Sequence, residues 1–308
     1  MSSVRLAIIA SEKSWYFRQL EAAAVKLNVD VVRPEFGNLA IRVGGANRYS
    51  SDEKSIVSED AASKSADSWE PDFDAAIVRT MPLGSLEQVI FRMDVLRCWE
   101  STGTPVVNSP ICLETSIDKL LTLSAFTDNN VPFPETYACQ NAEQALNAFE
   151  MLNHDVVLKP IFGGEGRGII RVCEHEVAYR IFKSLEYSRS VIYCQKFIAN
   201  IEKEIRILFI GDKHFAVERM SEKSWIRNAS LGGTGKTYQP NQTEIEMARR
   251  AANSVNGRIV GVDLLLDRNG EYFVLEVNAV PGWKLLEKVT GVDISSEIIQ
   301  TVIETVRR

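Results

Sequence analysis

Between residues 259 and 278 two apolar runs are interrupted by Asn269-Gly270, the strongest short-range signal for a β-hairpin. If these two residues form the turn, Arg268 faces Glu271, and each step outward pairs the next residues, which sets Asp263 directly opposite Glu276. Side chains alternate between the faces of a strand, so Asn278, two residues beyond Glu276, projects from the same face. The other face then carries Val262, Leu264, Leu266, Phe273, Leu275 and Val277, a continuous apolar surface that must lie on a core. One short segment thus predicts both a buried sheet and a cluster of two carboxylates and an amide oxygen.

Like charges opposed across a sheet repel. They are tolerated in abundant solvent or around a cation, and hard oxygen ligands suit Mg²⁺, which completes its shell with waters and substrate phosphates. From the hairpin alone, a solvated acidic patch and a metal site with ligands Asp263, Glu276 and Asn278 remain equal readings.

The rest of the chain supplies groups suited to phosphate. Lys159 ends an apolar strand over 155–159, immediately before the glycine-rich turn containing Gly163, Gly164, Gly166 and Gly168, which leads into a strand over 169–173. Strand, glycine loop and strand make a lid in which backbone N–H groups can approach phosphate oxygens. Lys119, at the start of a helix expected over 118–129, is a second point-charge phosphate binder. A third candidate resembles a phosphate loop: Gly232-Gly233-Thr234-Gly235-Lys236-Thr237 nearly fits the P-loop pattern. Ser230 stands in place of its first glycine, and Tyr238-Gln239-Pro240 follows where a helix should open. Lys236 is therefore expected to be an ordinary loop residue.

An N-terminal β-α-β pattern (strands at 4–10 and 29–32, helix at 15–27) implies a parallel sheet, continued by a strand at 75–78, a helix at 86–100 and a strand at 104–107. The stretch 44–71, rich in Ser, Ala, Asp and Lys, reads as a loop or insertion. Beyond Asn108-Ser109-Pro110 the expected elements are a helix at 141–152, strands at 191–197, 205–210 and 214–219, a helix at 243–256, strands at 259–266 and 272–278, and a C-terminal helix from Ile294.

The chain has 308 residues, 25% of them charged and 45% hydrophobic, so it is long enough for two or more packed domains and is not a disordered composition. Its net charge of −6 opposes nucleic-acid binding through a basic surface. No apolar run approaches the length of a membrane span, and the N-terminal run at 6–10 is too short for a signal-peptide core, so neither a membrane nor a nucleic acid is an expected partner and the expected location is cytoplasmic. Five dispersed cysteines without a C-x-x-C pair and three histidines without an H-E-x-x-H pair exclude zinc and redox motifs and predict reduced, partly or wholly buried thiols.

Taken together, the order of these pieces resembles the ATP-grasp superfamily and, within it, the RimK-type amino-acid ligases. The matching residues are Asp118-Lys119, Val157-Leu158-Lys159-Pro160 with the glycine turn, Gln195-Lys196-Phe197-Ile198, Glu204-Ile205-Arg206, Arg219, Asn228, Gly261-Val262-Asp263 and Leu275-Glu276-Val277-Asn278-Ala279-Val280-Pro281-Gly282. The resemblance implies an α/β chain of the α+β ATP-grasp kind: an N-terminal α/β pre-ATP-grasp domain at 1–108, then subdomains at 109–190 and 191–308 with nucleotide between them. It implies that Lys119, Lys159 and the glycine turn hold ATP phosphates, that Gln195, Lys196, Phe197 and Ile198 form the adenine hinge, and that Glu204 takes the ribose. It further implies that Asp263, Glu276 and Asn278 hold Mg²⁺ (or Mn²⁺), two ions per site, and that Arg206, Arg219, Asn228 and Arg227 face phosphoryl transfer or the acyl substrate. Two positions depart from the family pattern: Lys196 stands where an acidic residue is frequent, and Ile226-Arg227 precedes Asn228 in place of an Arg- or Lys-led string.

The activity implied is ATP-dependent ligation of a carboxylate and an amine through an acyl phosphate. The amino acid is glutamate in the first reading, added to a pterin-type cofactor, another carboxylate-bearing small molecule or a protein C-terminus. Alternatives are ligation to an amino-group carrier protein and, from another class, a nucleotide-binding regulator without turnover. An anionic acceptor needs a local basic lining on this acidic chain, for which Arg206, Arg219 and Arg227 are the candidates. Homo-oligomerisation is left open.

Overall fold

The computed structural model describes residues 4–41, 72–163, 166–220 and 234–307. The expected loop at 44–71 lies outside them. The N-terminal part forms a parallel four-stranded sheet of β1 (Arg5–Ile9), β2 (Asp30–Val32), β3 (Ala75–Val78) and β4 (Val106–Val107), in the order β2-β1-β3-β4. Two helices flank it, α1 (Trp15–Lys26) and α2 (Leu86–Ser101), the latter opened by a capping box in which Ser85 and Gln88 satisfy each other's backbone N–H. The strand order changes direction between β1 and β3.

Helix α3 (Pro110–Ile117), missed in the sequence, begins at an Asn-Ser-Pro string with the ordinary signals of a helix start, since Ser109 caps it and proline occupies its first turn. Asp118 ends it and caps the next helix, α4 (Lys119–Asp128), accepting from the N–H groups of Leu120 and Leu121.

A second sheet is antiparallel in the order β5-β8-β6-β7, built from β5 (Thr136–Cys139), β6 (Val156–Lys159), β7 (Ile170–Val172) and β8 (Ile192–Lys196). Helices α5 (Ala142–Met151) and α6 (His175–Tyr187) cover it through Ala142, Ala145, Phe149, Ala178 and Phe182, all fully buried. Because β8 pairs with β5 and β6, this sheet continues past the boundary expected at 190.

The third sheet is a five-stranded antiparallel layer in the order β11-β10-β9-β12-β13: β9 (Ile201–Ile210), β10 (Lys213–Met220), β11 (Thr234–Thr237), β12 (Ile259–Asp267) and β13 (Tyr272–Asn278). One face packs Ile205, Ile207, Val262, Leu264, Val274 and Val277 against α7 (Gln242–Ser254) and α4. The other face is apolar at one end, where Leu208, Ile210 and Ile259 meet α9 (Ile294–Val306) and the N-terminal sheet, and charged at the other. A short helix, α8 (Lys284–Thr290), lies against β10 and β11.

The hairpin differs from its sequence reading in an instructive way. Its loop has three residues, Arg268-Asn269-Gly270, closed by the Asp267 carboxylate on the N–H groups of Asn269 and Glu271, with Gly270 at φ 85°. Asp267 therefore faces Glu271, and near the turn Leu265 pairs with Phe273 and Leu264 with Val274. A β-bulge at Leu275 then inserts one residue into β13 and sets Asp263 opposite Glu276, as expected. The bulge also reassigns the faces: Val274, not Phe273 or Leu275, packs with Leu264 in the core.

Asn108 anchors the open end of the hairpin. It is buried, donates through Nδ2 to the carbonyls of Ile259 and Ala279, both at 2.7 Å, and accepts through Oδ1 from the N–H groups of Arg258 and Ile259.

Cys112, Cys139 and Cys194 are buried, whereas Cys173 is exposed and lies 3.3 Å from Asp155 Oδ1. Among the described residues, no helix is long and apolar enough to cross a membrane.

Candidate active site

A cleft open to solvent lies between the second and third sheets. One wall brings Lys119 and Lys159 together with the start of the glycine turn, and the opposite wall carries Glu204, Asp263 and Glu276. The segment from Gln195 to Ile198 closes one end.

Each lysine is held by a specific acceptor. Lys159 Nζ donates to Gln195 Oε1 at 2.6 Å, and Gln195 Nε2 donates to Thr136 Oγ1 at 3.0 Å. Gln195 is almost fully buried, so its side chain positions Lys159; the sequence reading had assigned it only a hinge role. Burial lowers the Lys159 ammonium pKa to about 8, opposed by the nearby Glu276 carboxylate. Lys119 Nζ donates to the Gly163 carbonyl at 2.9 Å and to that of Ile161 at 3.4 Å, tying α4 to the base of the glycine turn. Burial lowers its pKa as well.

In the turn, Gly163, Gly166 and Gly168 all have positive φ, at 133°, 75° and 72°. At Gly168 a Cβ would also lie 2.9 Å from the Pro160 ring, so glycine is required twice over. Gly164 lies outside the described residues.

At the hinge, the N–H of Lys196 is engaged by the Glu135 carbonyl and that of Phe197 by the Asp155 carbonyl, which leaves neither free to read a ligand. Arg171 clamps this corner. It forms a two-pronged ion pair with Asp155 at 2.7 and 2.8 Å and stacks over Phe197 at 3.6 Å. Lys196 itself points to solvent.

The charged face of the third sheet is a woven set of ion pairs. Arg206 lies opposite Asp263 in the β9–β12 register, with Nη1 3.1 and 3.2 Å from its carboxylate oxygens. Arg219 Nη1 reaches Asp263 at 2.9 Å and Glu204 at 3.3 Å. This corrects the expectation that solvent or metal alone makes the acidic pair tolerable: two guanidinium groups already neutralise Asp263. It also corrects the assignment of Arg206 and Arg219 as a free basic lining, since both are buried and engaged by carboxylates. Arg227 and Asn228 lie outside the described residues.

Burial pushes Asp263 up, but Arg206 and Arg219 outweigh it and hold the carboxyl below the usual range. Burial and then the Asp263 charge push Glu276 up, and among the described residues no arginine forms an ion pair with it. Asn278 is less directly placed: its Oδ1 accepts from the Val280 N–H at 2.9 Å, and it is not among the cleft-lining residues. Among the described residues, no three His, Cys, Asp or Glu side chains group to hold a metal. The donors available are two opposed carboxylates and one amide oxygen with a lone pair remaining. Hard oxygens and a Glu276 carboxylate that a divalent cation would relieve suit Mg²⁺ supplied with phosphate ligands.

The sequence reading missed the apolar part of the cleft, lined by Val157, Ile169, Ile201, Leu265 and Leu275. Of these, strand alternation put Leu275 on the core face. Leu275 turns into the cleft because of the bulge, which no local sequence signal marks.

Lys236 lies on edge strand β11, paired with Glu218 at 3.1 Å, and β11 runs antiparallel to β10. A strand stands where a P-loop needs a helix N-terminus, so the P-loop reading is excluded.

A cleft between two antiparallel sheets, with a glycine lid and two lysines facing carboxylates, defines a nucleotide-grasping fold. The chain matches the RimK-like ATP-grasp domain over residues 116–302 and belongs to that family. It is 25% identical to the tetrahydromethanopterin:alpha-L-glutamate ligase of Methanococcus maripaludis, over 97% of this chain and 98% of that one. It is 27% identical to the alpha-aminoadipate–LysW ligase of Saccharolobus solfataricus, over 68% of this chain and 78% of that one. The fold also matches the ATP-grasp ligase PsnB, solved with a minimal precursor, Mg and ADP, with a TM-score of 0.73, 18% identity and 98% of each chain covered; at that identity the likeness shows the fold alone.

Proposed function

We propose that this protein is an ADP-forming ligase that joins an amino acid to a carboxylate-bearing acceptor, with ATP and Mg²⁺ bound in the cleft between the second and third sheets. The observation that carries this reading is the convergence of Lys119, Lys159, Glu204, Asp263 and Glu276 on one cleft beneath a glycine turn. In this reading the apolar slot around Val157, Ile169 and Leu265 receives adenine, the hinge offers the backbone of Ile198, Glu204 meets the ribose, and the phosphates extend toward the lysines.

A carboxylate is a poor electrophile because its leaving group would be oxide. Its oxygen attacks the γ-phosphorus, the bond to ADP breaks, and the resulting acyl phosphate is open to attack by an amine, which releases phosphate and a proton. The chain's contribution is placement and charge. Lys159, fixed by Gln195, sits where phosphate charge accumulates, and Lys119 couples phosphate binding to the glycine turn through the Gly163 carbonyl. Arg206 and Arg219 hold Asp263 ionised, so that it and Glu276, with Asn278 beside them, can hold the metal, which neutralises phosphate charge when bound.

Glutamate is the first amino acid to test, because the relatives that resemble this chain include a glutamate ligase acting on a pterin. The resemblance to the aminoadipate–LysW ligase favours a carrier-protein acceptor as the second reading. The test is an ADP-release screen crossing amino acids with pterin-type carboxylates, other small carboxylates and carrier-protein C-termini. ADP release requiring one amino acid and one carboxylate supports ligation. Tight ATP binding without turnover on any pair supports the regulatory alternative.

A further inference from the structure

Arg79 directly follows β3 at the point where the strand order of the N-terminal sheet reverses, between the carboxyl ends of β1 and β3. Ligands of open parallel sheets dock at this crevice. The Arg79 side chain is more than nine-tenths buried, yet it forms no ion pair among the described residues. Its Nη2 donates to the Pro281 carbonyl at 2.7 Å, its Nε is buried with no acceptor, and Nη1 has no hydrogen-bond partner among the described residues. The guanidinium lies 4.6 Å over the Trp283 ring and 5.3 Å over the Tyr16 ring. Trp283 is also buried, and its indole Nε1 has no acceptor either.

Buried donors are almost always paired, and a buried guanidinium is normally matched by an acid. Here burial and the nearby Arg206 both disfavour the cation, lowering its pKa to about 10, while Tyr16 only partly offsets them. The surroundings are closely packed: a Cβ at Gly282 would lie 2.5 Å from the Tyr16 hydroxyl. The segment that carries Pro281 and Trp283 follows directly from Asn278 at the end of β13, so the crevice adjoins the proposed phosphoryl-transfer site.

We propose that Arg79, flanked by Trp283 and Tyr16, is the anchor for a substrate carboxylate other than the one that is phosphorylated. The assignment supplies the basic lining that Arg206 and Arg219 cannot, since their charges are matched within the sheet. It rests on the ligase reading for the class of molecule bound. A carboxylate in this place has two sources, the incoming amino acid or the acceptor.

The test measures binding of two probes, L-glutamate and glutarate, to the full-length protein with Mg²⁺ and AMPPNP, in wild type, Arg79→Met and Arg79→Lys. Nucleotide affinity and melting temperature are measured on the same samples. Losing a charge-assisted contact predicts that Arg79→Met weakens L-glutamate by about 10- to 100-fold while AMPPNP affinity changes less than about twofold. Arg79→Lys, which keeps the charge but not the fork, should lose less. Because Arg79→Met removes an unmatched buried charge, its melting temperature should hold or rise.

An effect on L-glutamate alone assigns the subsite to the amino acid, and an equal effect on glutarate assigns it to the carboxylate whatever its source. Unchanged probe affinity in Arg79→Met, no binding of either probe to wild type, or a collapse of melting temperature in both variants overturns the proposal, the last by making Arg79 a structural clamp. Failure of wild type to bind AMPPNP is a separate outcome that defeats the ligase reading itself.

Discussion

Arg206 and Asp263 stand opposite one another on adjacent strands, with Arg206 Nη1 within 3.1 and 3.2 Å of the two carboxylate oxygens, so Asp263 and its neighbour Glu276 are not equivalent members of an acidic pair. Asp263 is matched by two guanidinium groups, whereas burial and Asp263 itself work against the charge on Glu276. Both substitutions should abolish turnover, but their stability effects should have opposite signs. Glu276→Gln relieves repulsion, and the metal-free melting temperature should hold or rise. Asp263→Asn removes the anion from Arg206 in a buried setting and leaves Arg219 only Glu204, and should cost about 3–5 kcal/mol. Denaturant melts of both variants without Mg²⁺ check this; equal destabilisation contradicts it.

The relay from Lys159 through Gln195 to Thr136 predicts a pH dependence. The Lys159 pKa is lowered from its ordinary value to about 8 by burial, so the ammonium is charged below that value and neutral above it. ADP affinity should therefore be highest below about pH 8 and fall as pH rises through it, with a proton taken up on binding. Lys159→Met should remove the step. Gln195→Leu, which removes the acceptor of the charged form, should move the step to lower pH and weaken ADP by about 10-fold at neutral pH. Calorimetric ADP titrations between pH 6.5 and 9.5 decide; a step that persists unaltered in Lys159→Met assigns it to another group.

The two lysines that looked alike in the sequence should separate cleanly. Lys236 is an exposed partner of Glu218, a kind of pair worth at most about 1 kcal/mol. Lys236→Met should leave ATP affinity nearly unchanged, and Lys159→Met should weaken it about 10- to 100-fold. Equal losses would place phosphate at β11.

Asn108 is expected to matter more to the fold than any residue of the cleft. Asn108→Ala leaves two carbonyls and two N–H groups at the hairpin's open end without partners, and each such buried group costs about 1–3 kcal/mol. A loss of several kcal/mol in urea melts is predicted, and Asn108→Asp, which cannot donate to the Ile259 and Ala279 carbonyls, should not rescue it.

The hairpin shows what was legible in the sequence and what was not. Asn269-Gly270 marks the turn and alternation marks the faces, so the opposition of Asp263 and Glu276 could be read directly. The three-residue loop and the bulge at Leu275 shift the register in opposite senses, and their cancellation kept that pairing while moving Leu275 into the cleft and Val274 into the core. The engagement of Arg206 and Arg219 was hidden because it depends on three strands meeting in one sheet, a non-local pairing that spacing does not encode. Arg79 gave no local signal: that no acid among the described residues pairs with it is visible only once the N-terminal sheet and the segment after Asn278 are packed together.

Transfer of the γ-phosphate to a carboxylate in the cleft can be read from the products that purified protein forms with Mg²⁺-ATP, L-glutamate and a panel of carboxylate acceptors. The prediction is ADP and inorganic phosphate in equal amounts, dependent on Mg²⁺, on the amino acid and on one acceptor. AMP and pyrophosphate as products, or ADP release indifferent to every carboxylate, would contradict it.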